Sequence, residues 1–272
     1  MSDFKGKTIL ITGAASGIGR LMAIMIAREG GQLILWDINE TNLNMVKAEI
    51  DSVGARSFCY TCDVSKKEAV FATAEKVLKE VGTIDILINN AGVVVGKNFS
   101  EYTSDEIEFT VNVNLMSRFW ILQAFLPHMK QANCGHIVTI ASAGGIIGTA
   151  KLSVYAATKF ADFGFDESLR AEFKKSNINI KTTVICPYFI DTGMFKGVKT
   201  RFSFLLPILK PEKVAKKTIK AIKKNKPRLF MPKMVYLVPL LRIFPVRIFD
   251  MIANMMGVNS AMDYFTGRKE ES

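Results

Sequence analysis

The 272-residue sequence predicts an α/β fold: a doubly wound parallel sheet with helices on both faces and a C-terminal helical appendage. Three observations carry that prediction. Short β-rich runs alternate with helical patterns as far as about residue 190. The strands read as nearly continuous apolar runs, the mark of a sheet buried on both sides. The first strand ends in a glycine-rich turn that opens a helix.

Each element follows in order. "KTILITG" is a strand closed by glycine, and "GIGRLMAIMIAREGG" is a helix with a glycine stop. "QLILWD" is the second strand, and "NETNLNMVKAEIDSVG" starts on a capping signal and keeps helical spacing. "RSFCYTCDV", "DILINNAG" and "GHIVTIAS" are further strands, with helices at 65–81 and about 104–131 between them. "SVYAATKFADFGFDESLRAEFKKS" is a long helix and "NIKTTVICP" the strand after it. Beyond residue 190 the order loosens into a loop, a basic helix at 211–224 and an apolar tail. No internal repeat, low-complexity segment or linker interrupts the sequence before residue 190, so residues 1–272 read as a single domain, with 190–272 as substrate loop and appendage.

Composition narrows the function classes. The net charge is +11 with a pI near 9.4, and mean hydropathy is +0.20. The charge is uneven, because Glu212 is the only acidic residue between Lys196 and Lys233, a stretch dense in lysine. A basic surface of this kind suits an anionic membrane. A nucleic-acid partner is not expected, since no reader motif accompanies the charge. Cys59, Cys62, Cys134 and Cys186 are too few for a disulfide framework. The Cys59–Cys62 pair lies on a strand with no helix N-terminus to activate a thiol. His128 and His136 have no companions at ligand spacing, so no metal site is expected. The N-terminus enters a strand at once, which predicts no signal peptide and no leading anchor. The tail "LFMPKMVYLVPLLRIFPVRIFDMIANMM" is interrupted too often by proline, lysine and arginine to span a membrane.

"TGAASGIGR" is the first chemical signal. Gly13 permits a tight turn, while Gly17 and Gly19 let a cofactor approach the backbone at a helix N-terminus, where amides and the helix dipole favour a pyrophosphate. Ser16 and Ile18 belong to the same turn. Asp37 closes the second strand, where a carboxylate accepts from ribose hydroxyls and repels a 2′-phosphate. Ser16, Ile38 and Asn39 add no compensating positive charge, so the expected cofactor is NAD rather than NADP.

The second signal is Tyr155 with Lys159, four residues apart on one helix face. With Thr12, Gly13, Gly17 and Gly19, "NNAG" at Asn89–Gly92, Asn114 in "VNVNLM" and Ser142 thirteen residues before Tyr155, the sequence resembles the short-chain dehydrogenase/reductase family over about residues 5–195. The resemblance implies a Rossmann-type dinucleotide site and hydride transfer, with Tyr155 as general acid/base and Ser142 holding the substrate oxygen. Lys159 is implied to bind the nicotinamide ribose and to favour the phenolate, and Asn114 to support a water relay. Asp63 and Val64 are implied to flank the adenine, and Asn90, Ala91 and Gly92 to line the cofactor. Pro187 and Thr192 are implied to hold the carboxamide. The sequence departs from the family pattern at Tyr188, where glycine is usual.

Within the family, "LILWDIN", "CPYFIDTGMFKG", "LKPEKVAKKTIKAI" and "MPKMVYL" look like the retinol dehydrogenase and 17-beta-hydroxysteroid dehydrogenase branch. That resemblance implies a lipophilic alcohol or carbonyl substrate, retinoid- or steroid-like. Residues 143–152 and 188–256 should cover the strand ends and select it, with Phe195, Phe202, Phe204, Leu205 and Leu206 available as lining. Two alternatives remain: a carbonyl or 3-ketoacyl-type reductase of a smaller substrate, and a non-catalytic dinucleotide-binding regulator. By family analogy the chain forms a homodimer or homotetramer. The expected location is cytoplasmic; the helix at 211–224 has the pattern of an ordinary packed surface helix and also of a membrane-surface helix, which with the apolar tail leaves peripheral contact with anionic lipid open.

Overall fold

A computed structural model of the chain describes residues 3–267. Strands β1 (Thr8–Thr12), β2 (Gln32–Asp37), β3 (Ser57–Thr61), β4 (Ile86–Asn89), β5 (Gly135–Ile140), β6 (Ile180–Pro187) and β7 (Arg228–Met231) form one sheet in the order β3-β2-β1-β4-β5-β6-β7. Every pairing is parallel. Leu33 to Trp36 and Ile86 to Asn89 are buried at every position, which explains why these strands run apolar without alternating.

Helices α1 (Gly17–Arg28), α2 (Glu40–Ser52) and α7 (Pro211–Lys223) cover one face, where Met22, Ile26, Leu43, Val46, Val214 and Ile219 share a core with β1 and β2. Helices α3 (Lys67–Glu80), α5 (Ser117–Gln131) and α6 (Ser153–Lys175) cover the other, with Val70, Val77, Ile121, Phe125 and Leu169 in its core. Between β1 and β4 the chain changes its direction of travel across the sheet. That topological switch opens a crevice at the carboxyl ends of the strands.

The expected helix at 104–131 is divided. Helix α4 (Ser104–Val111) has Thr103 as its cap, in reciprocal hydrogen bonds with Glu106, and leads into a π-helical turn at Asn112–Met116 before α5. The extra residue in such a turn redirects side chains, and here the redirected segment carries Asn114.

The tail departs further from expectation. Residues 228–231 pair with β6 from Val184↔Arg228 to Pro187↔Met231. This strand is only four residues long and lies between Pro227 and Pro232, so its conformation comes from the neighbouring strand more than from its own pattern. Helices α8 (Val238–Leu241) and α9 (Val246–Met255) follow. The apolar stripe of α7, comprising Val214, Ala215, Thr218, Ile219 and Ile222, is buried, and α7 packs against α1. Of the two roles that its amphipathic pattern allows, packed surface helix or membrane-surface helix, α7 has the packing of the first. The unpartnered apolar surface lies on α8, α9 and the turn between them, where Leu240, Ile243, Phe244, Val246, Met251 and Met255 are all more than half exposed. No described helix is long and apolar enough to cross a membrane.

Candidate active site

A cavity of about 540 Å³ begins at the carboxyl ends of β1 and β2 and continues beneath the C-terminal appendage. Fifteen of the sequence-derived site residues line it: Gly13, Ser16, Gly17, Ile18, Asp37, Asp63, Val64, Asn90, Ala91, Gly92, Ser142, Tyr155, Lys159, Pro187 and Thr192. Gly19 and Asn114 stand behind the wall and do not line it.

At the nucleotide end the glycine turn is shaped by close approaches. A side chain at Gly19 would run into the Gly13 carbonyl oxygen and approach Asn90 Nδ2 to 2.6 Å. Asn90 Nδ2 donates to the carbonyls of Thr12 (2.9 Å) and Gly13 (3.0 Å), and Thr12 Oγ1 accepts from the amides of Asn90 and Ala91, each at 3.0 Å. The "NNAG" loop and the glycine turn are thus stapled together. Ser16 caps α1 by position without a side-chain hydrogen bond, and the first turn carries no acidic residue. Those open amides and the positive end of the helix suit an anionic diphosphate. Asp37 accepts from Ala15 N at 2.9 Å and from Asn39 N at 3.0 Å while still facing the cavity. These residues fit a dinucleotide.

In the middle of the cavity, Tyr155 and Lys159 lie on one face of α6, both nearly inaccessible. Lys159 Nζ stands 5.6 Å from the Tyr155 ring centroid and donates to the Ile140 carbonyl at 3.1 Å. Its ion-pair partner is Asp162 Oδ2 at 3.3 Å. Ser142 Oγ accepts from Gly144 N at 3.0 Å, which fixes the hydroxyl at the end of β5. Asn114 Oδ1 accepts from Val93 N (2.8 Å), and its Nδ2 donates to the Val93 carbonyl (2.9 Å) and Thr158 Oγ1 (3.3 Å). The direct bonds of Asn114 therefore lock the wall beside Gly92 and the foot of α6.

Burial dominates the electrostatics. It pushes the Tyr155 phenol up to about 12, against a smaller lowering by hydrogen bonding with Ser142. Asp162 adds to the rise and Arg118 opposes it. Burial also lowers the Lys159 ammonium to about 8; Arg118 lowers it further, and Asp162 works the other way. This adds to the sequence reading, which names Lys159 but neither Asp162 nor Arg118. In the folded chain the ammonium's charge is partly answered by Asp162, one helical turn on.

At the far end, Phe195 sets its ring edge-on to Tyr155, centroids 5.9 Å apart. Beyond it the wall is almost wholly apolar, with Leu206, Met234, Leu241, Phe249, Ile252 and Met256. Of the expected lining, Phe195 and Leu206 are present. Phe202, Phe204 and Leu205 lie outside it, and Phe204 is 79% exposed. Tyr188, the departure from the family pattern, lines the chamber with its ring edge-on to Phe189.

The family model for short chain dehydrogenases matches residues 7–201. The chain belongs to the short-chain dehydrogenase/reductase family. Among curated relatives it is 45% identical to epidermal retinol dehydrogenase 2 of Mus musculus, over 98% of this chain and 87% of the relative. Among solved structures it is similar to a short chain dehydrogenase/reductase from Burkholderia phymatum in complex with NAD. That likeness has a TM-score of 0.81 at 27% identity, covering 89% of this chain and 95% of the other. It also resembles a metagenomic short-chain oxidoreductase in complex with NADP, with a TM-score of 0.71 at 26% identity over 84% of this chain and 97% of that one.

This family member is accordingly an oxidoreductase of the NAD(P)-binding Rossmann class. Sequence reasoning missed two buried charged side chains beside Tyr155 and Lys159, namely Arg118 and Asp162. Both occupy helix positions that default to solvent for charged residues, yet they are 1% and 0% exposed. The one available hint was the placing of Asp162 three residues after Lys159, on the same helix face.

Proposed function

We propose that this dehydrogenase interconverts a lipophilic alcohol, retinoid- or steroid-like, with its carbonyl, using NAD in preference to NADP and Tyr155 as general acid/base. The observation that carries the reading is the cavity itself. It runs without a break from Asp37 past Tyr155 into a chamber of leucine, methionine and phenylalanine that offers little to a polyol or a charged acid. A bound nicotinamide dinucleotide supplies the hydride acceptor or donor and, when oxidised, a positive charge that favours the phenolate. The chain's own residues do the rest. Ser142 orients the substrate oxygen toward the phenol, Tyr155 takes or returns its proton, and Lys159 keeps a cation beside the ring. The apolar wall excludes water from the reacting carbon.

The test is a rate comparison over retinol, sterols and medium-chain alcohols with each dinucleotide. Higher kcat/KM with NAD on the lipophilic alcohols is expected; preference for NADP, or for small polar alcohols, would remove the corresponding half of the reading. In the same assay Asp37→Ala should shrink the NAD preference about tenfold. Repulsion between a carboxylate and a phosphate a few ångström apart amounts to between about 1 and 4 kcal/mol in a half-wet site.

The exposed apolar side chains of α8 and α9 support a second proposal, that this surface rests on an anionic lipid bilayer and admits substrate from it. Leu241, Phe249, Ile252 and Met256 line the chamber from the same segment of α8, α9 and their bounding turns that exposes Leu240, Ile243, Met251 and Met255. Lys233 and Arg247 add exposed positive charge nearby. Sedimentation with phosphatidylserine-containing vesicles should be strong in low salt. It should weaken in high salt and fall sharply for Leu240→Asp/Ile243→Asp. Absence of low-salt binding by the unaltered protein would end the proposal.

A further inference from the structure

Beneath the catalytic pair lies a buried cluster of charge. Asp162, fully inaccessible on α6, places Oδ2 3.3 Å from Lys159 Nζ and Oδ1 2.9 Å from Arg118 Nε on α5. Arg118 Nη2 lies 3.4 Å from the carbonyls of both Ala91 and Ile140, and Lys159 donates to the same Ile140 carbonyl. Two cations therefore converge on the carbonyl that ends β5, two residues before Ser142, and one anion pairs with both of them. Neither Asp162 nor Arg118 lines the cavity.

Such a cluster is costly. Each ion loses its hydration, and well-packed apolar side chains would serve stability as well or better. The hydrogen bonding is also incomplete, since Arg118 Nε, Arg118 Nη1 and Asp162 Oδ1 have no hydrogen-bond partner among the described residues. The 2.9 Å contact is thus an ion pair held off the N–H axis. The geometry is poorly explained by stability and well placed to act on the site.

We propose that Asp162 and Arg118 are positioning residues, an opposed charge pair that holds Lys159 against the end of β5 and sets the pH range in which Lys159 and Tyr155 work. This proposal rests on the catalytic reading above. The charged and titratable groups facing Lys159 are Asp162 from its own helix, Arg118 from α5 and Cys186 from β6, with Tyr155 one turn away. Burial pushes the Cys186 thiol up to about 12, so it stays neutral in the working range. Asp162 holds protons on both Lys159 and Tyr155, whereas Arg118 drives protons off both. The two residues thus act on both members of the pair with opposite sign.

The experiment compares Asp162→Asn, Arg118→Gln and the double variant by two readouts. The first is kcat/KM for alcohol oxidation against pH. The second, independent of turnover, is carbamylation of Lys159 by cyanate against pH in the cofactor-free protein, followed by mass spectrometry of the peptide carrying Lys159. Asp162→Asn should move the inflections of both to lower pH by about one unit or more, a tenfold change in rate on a steep limb. Arg118→Gln should move them upward, and the double variant should return them close to the original positions. Inflections that stay in place in both single variants while rates fall uniformly would reduce the pair to packing and overturn the proposal. If Asp162→Asn does not fold, the upward shift in Arg118→Gln and its reversal in the double variant decide the matter. Should the unaltered protein turn over no alcohol, the reading of function fails, and the cyanate titration still decides whether the pair governs Lys159.

Discussion

Tyr155→Phe should lose turnover by about two to four orders of magnitude while binding NADH almost unchanged, the span typical for removal of a positioned general acid/base. The substitution deletes one oxygen. Its ring stays in edge-on contact with Phe195, and Ser142 Oγ keeps its hydrogen bond from Gly144 N, so neither fold nor cavity has reason to rearrange. What goes is the hydroxyl that faces Ser142 one helical turn from Lys159. The direction with pH is fixed by the same group. On the proposed mechanism oxidation needs the phenolate, and burial holds the phenol up, so the oxidation rate should climb with pH through the acid limb. Steady-state kinetics and fluorescence titration with NADH separate the two effects. Full activity in Tyr155→Phe would remove the mechanism, and loss of NADH binding in parallel would show that the side chain serves the cavity and not the chemistry.

That sequence reading brings Tyr155 to the cavity but not the buried charges beside it is a matter of where information resides. Tyr155, Lys159, Ser142 and the glycine turn lie on elements whose type and order can be read from the chain. Their meeting follows from parallel topology, which brings all strand ends to one edge. Arg118 and Asp162 meet only because α5 and α6 pack on the same face of the sheet, and nothing local to either helix says that they are neighbours. Charged residues on amphipathic helices are ordinarily solvated, and here that default fails because the ions pair beneath the strand ends.

The tail teaches the same point from the other side. β1, β2, β4 and β5 were readable because burial on both faces leaves an apolar run. The four residues of β7 between prolines have no such signature and take their conformation from β6. In α8 and α9 one short stretch serves two apolar purposes, a chamber wall inside and an unpartnered surface outside. α9 does carry a polar strip, Arg247, Asp250 and Asn254, but periodicity alone does not say which of its remaining apolar residues turn to the chamber and which to the surface. α7 also has a clear stripe, and there the stripe is buried in the core against α1 while the exposed apolar surface lies on α8 and α9.

Gly19→Ala should abolish dinucleotide binding, whereas Gly17→Ala should only weaken the protein and its affinity, although the two changes add the same methyl two residues apart. At Gly17 a Cβ meets only the side chain of Thr192, at 3.6 Å, an ordinary contact. Its φ of +54° is the left-handed region, which costs a non-glycine residue roughly 1–2 kcal/mol. At Gly19 the obstruction is backbone. The methyl collides with the Gly13 carbonyl oxygen and crowds Asn90 Nδ2, the atom that staples the turn to the "NNAG" loop. A carbonyl held by two elements cannot swing aside like a side chain, so α1 must lift from the turn and its open amides leave the place where they face the cavity. Titration with NADH, alongside thermal unfolding with and without it, distinguishes the outcomes. Gly17→Ala should melt lower yet still be stabilised by the dinucleotide, while Gly19→Ala should show no stabilisation at any concentration. Normal binding by Gly19→Ala would mean that the close packing of α1 against the turn is dispensable, and with it the reading of that helix end as the diphosphate cradle.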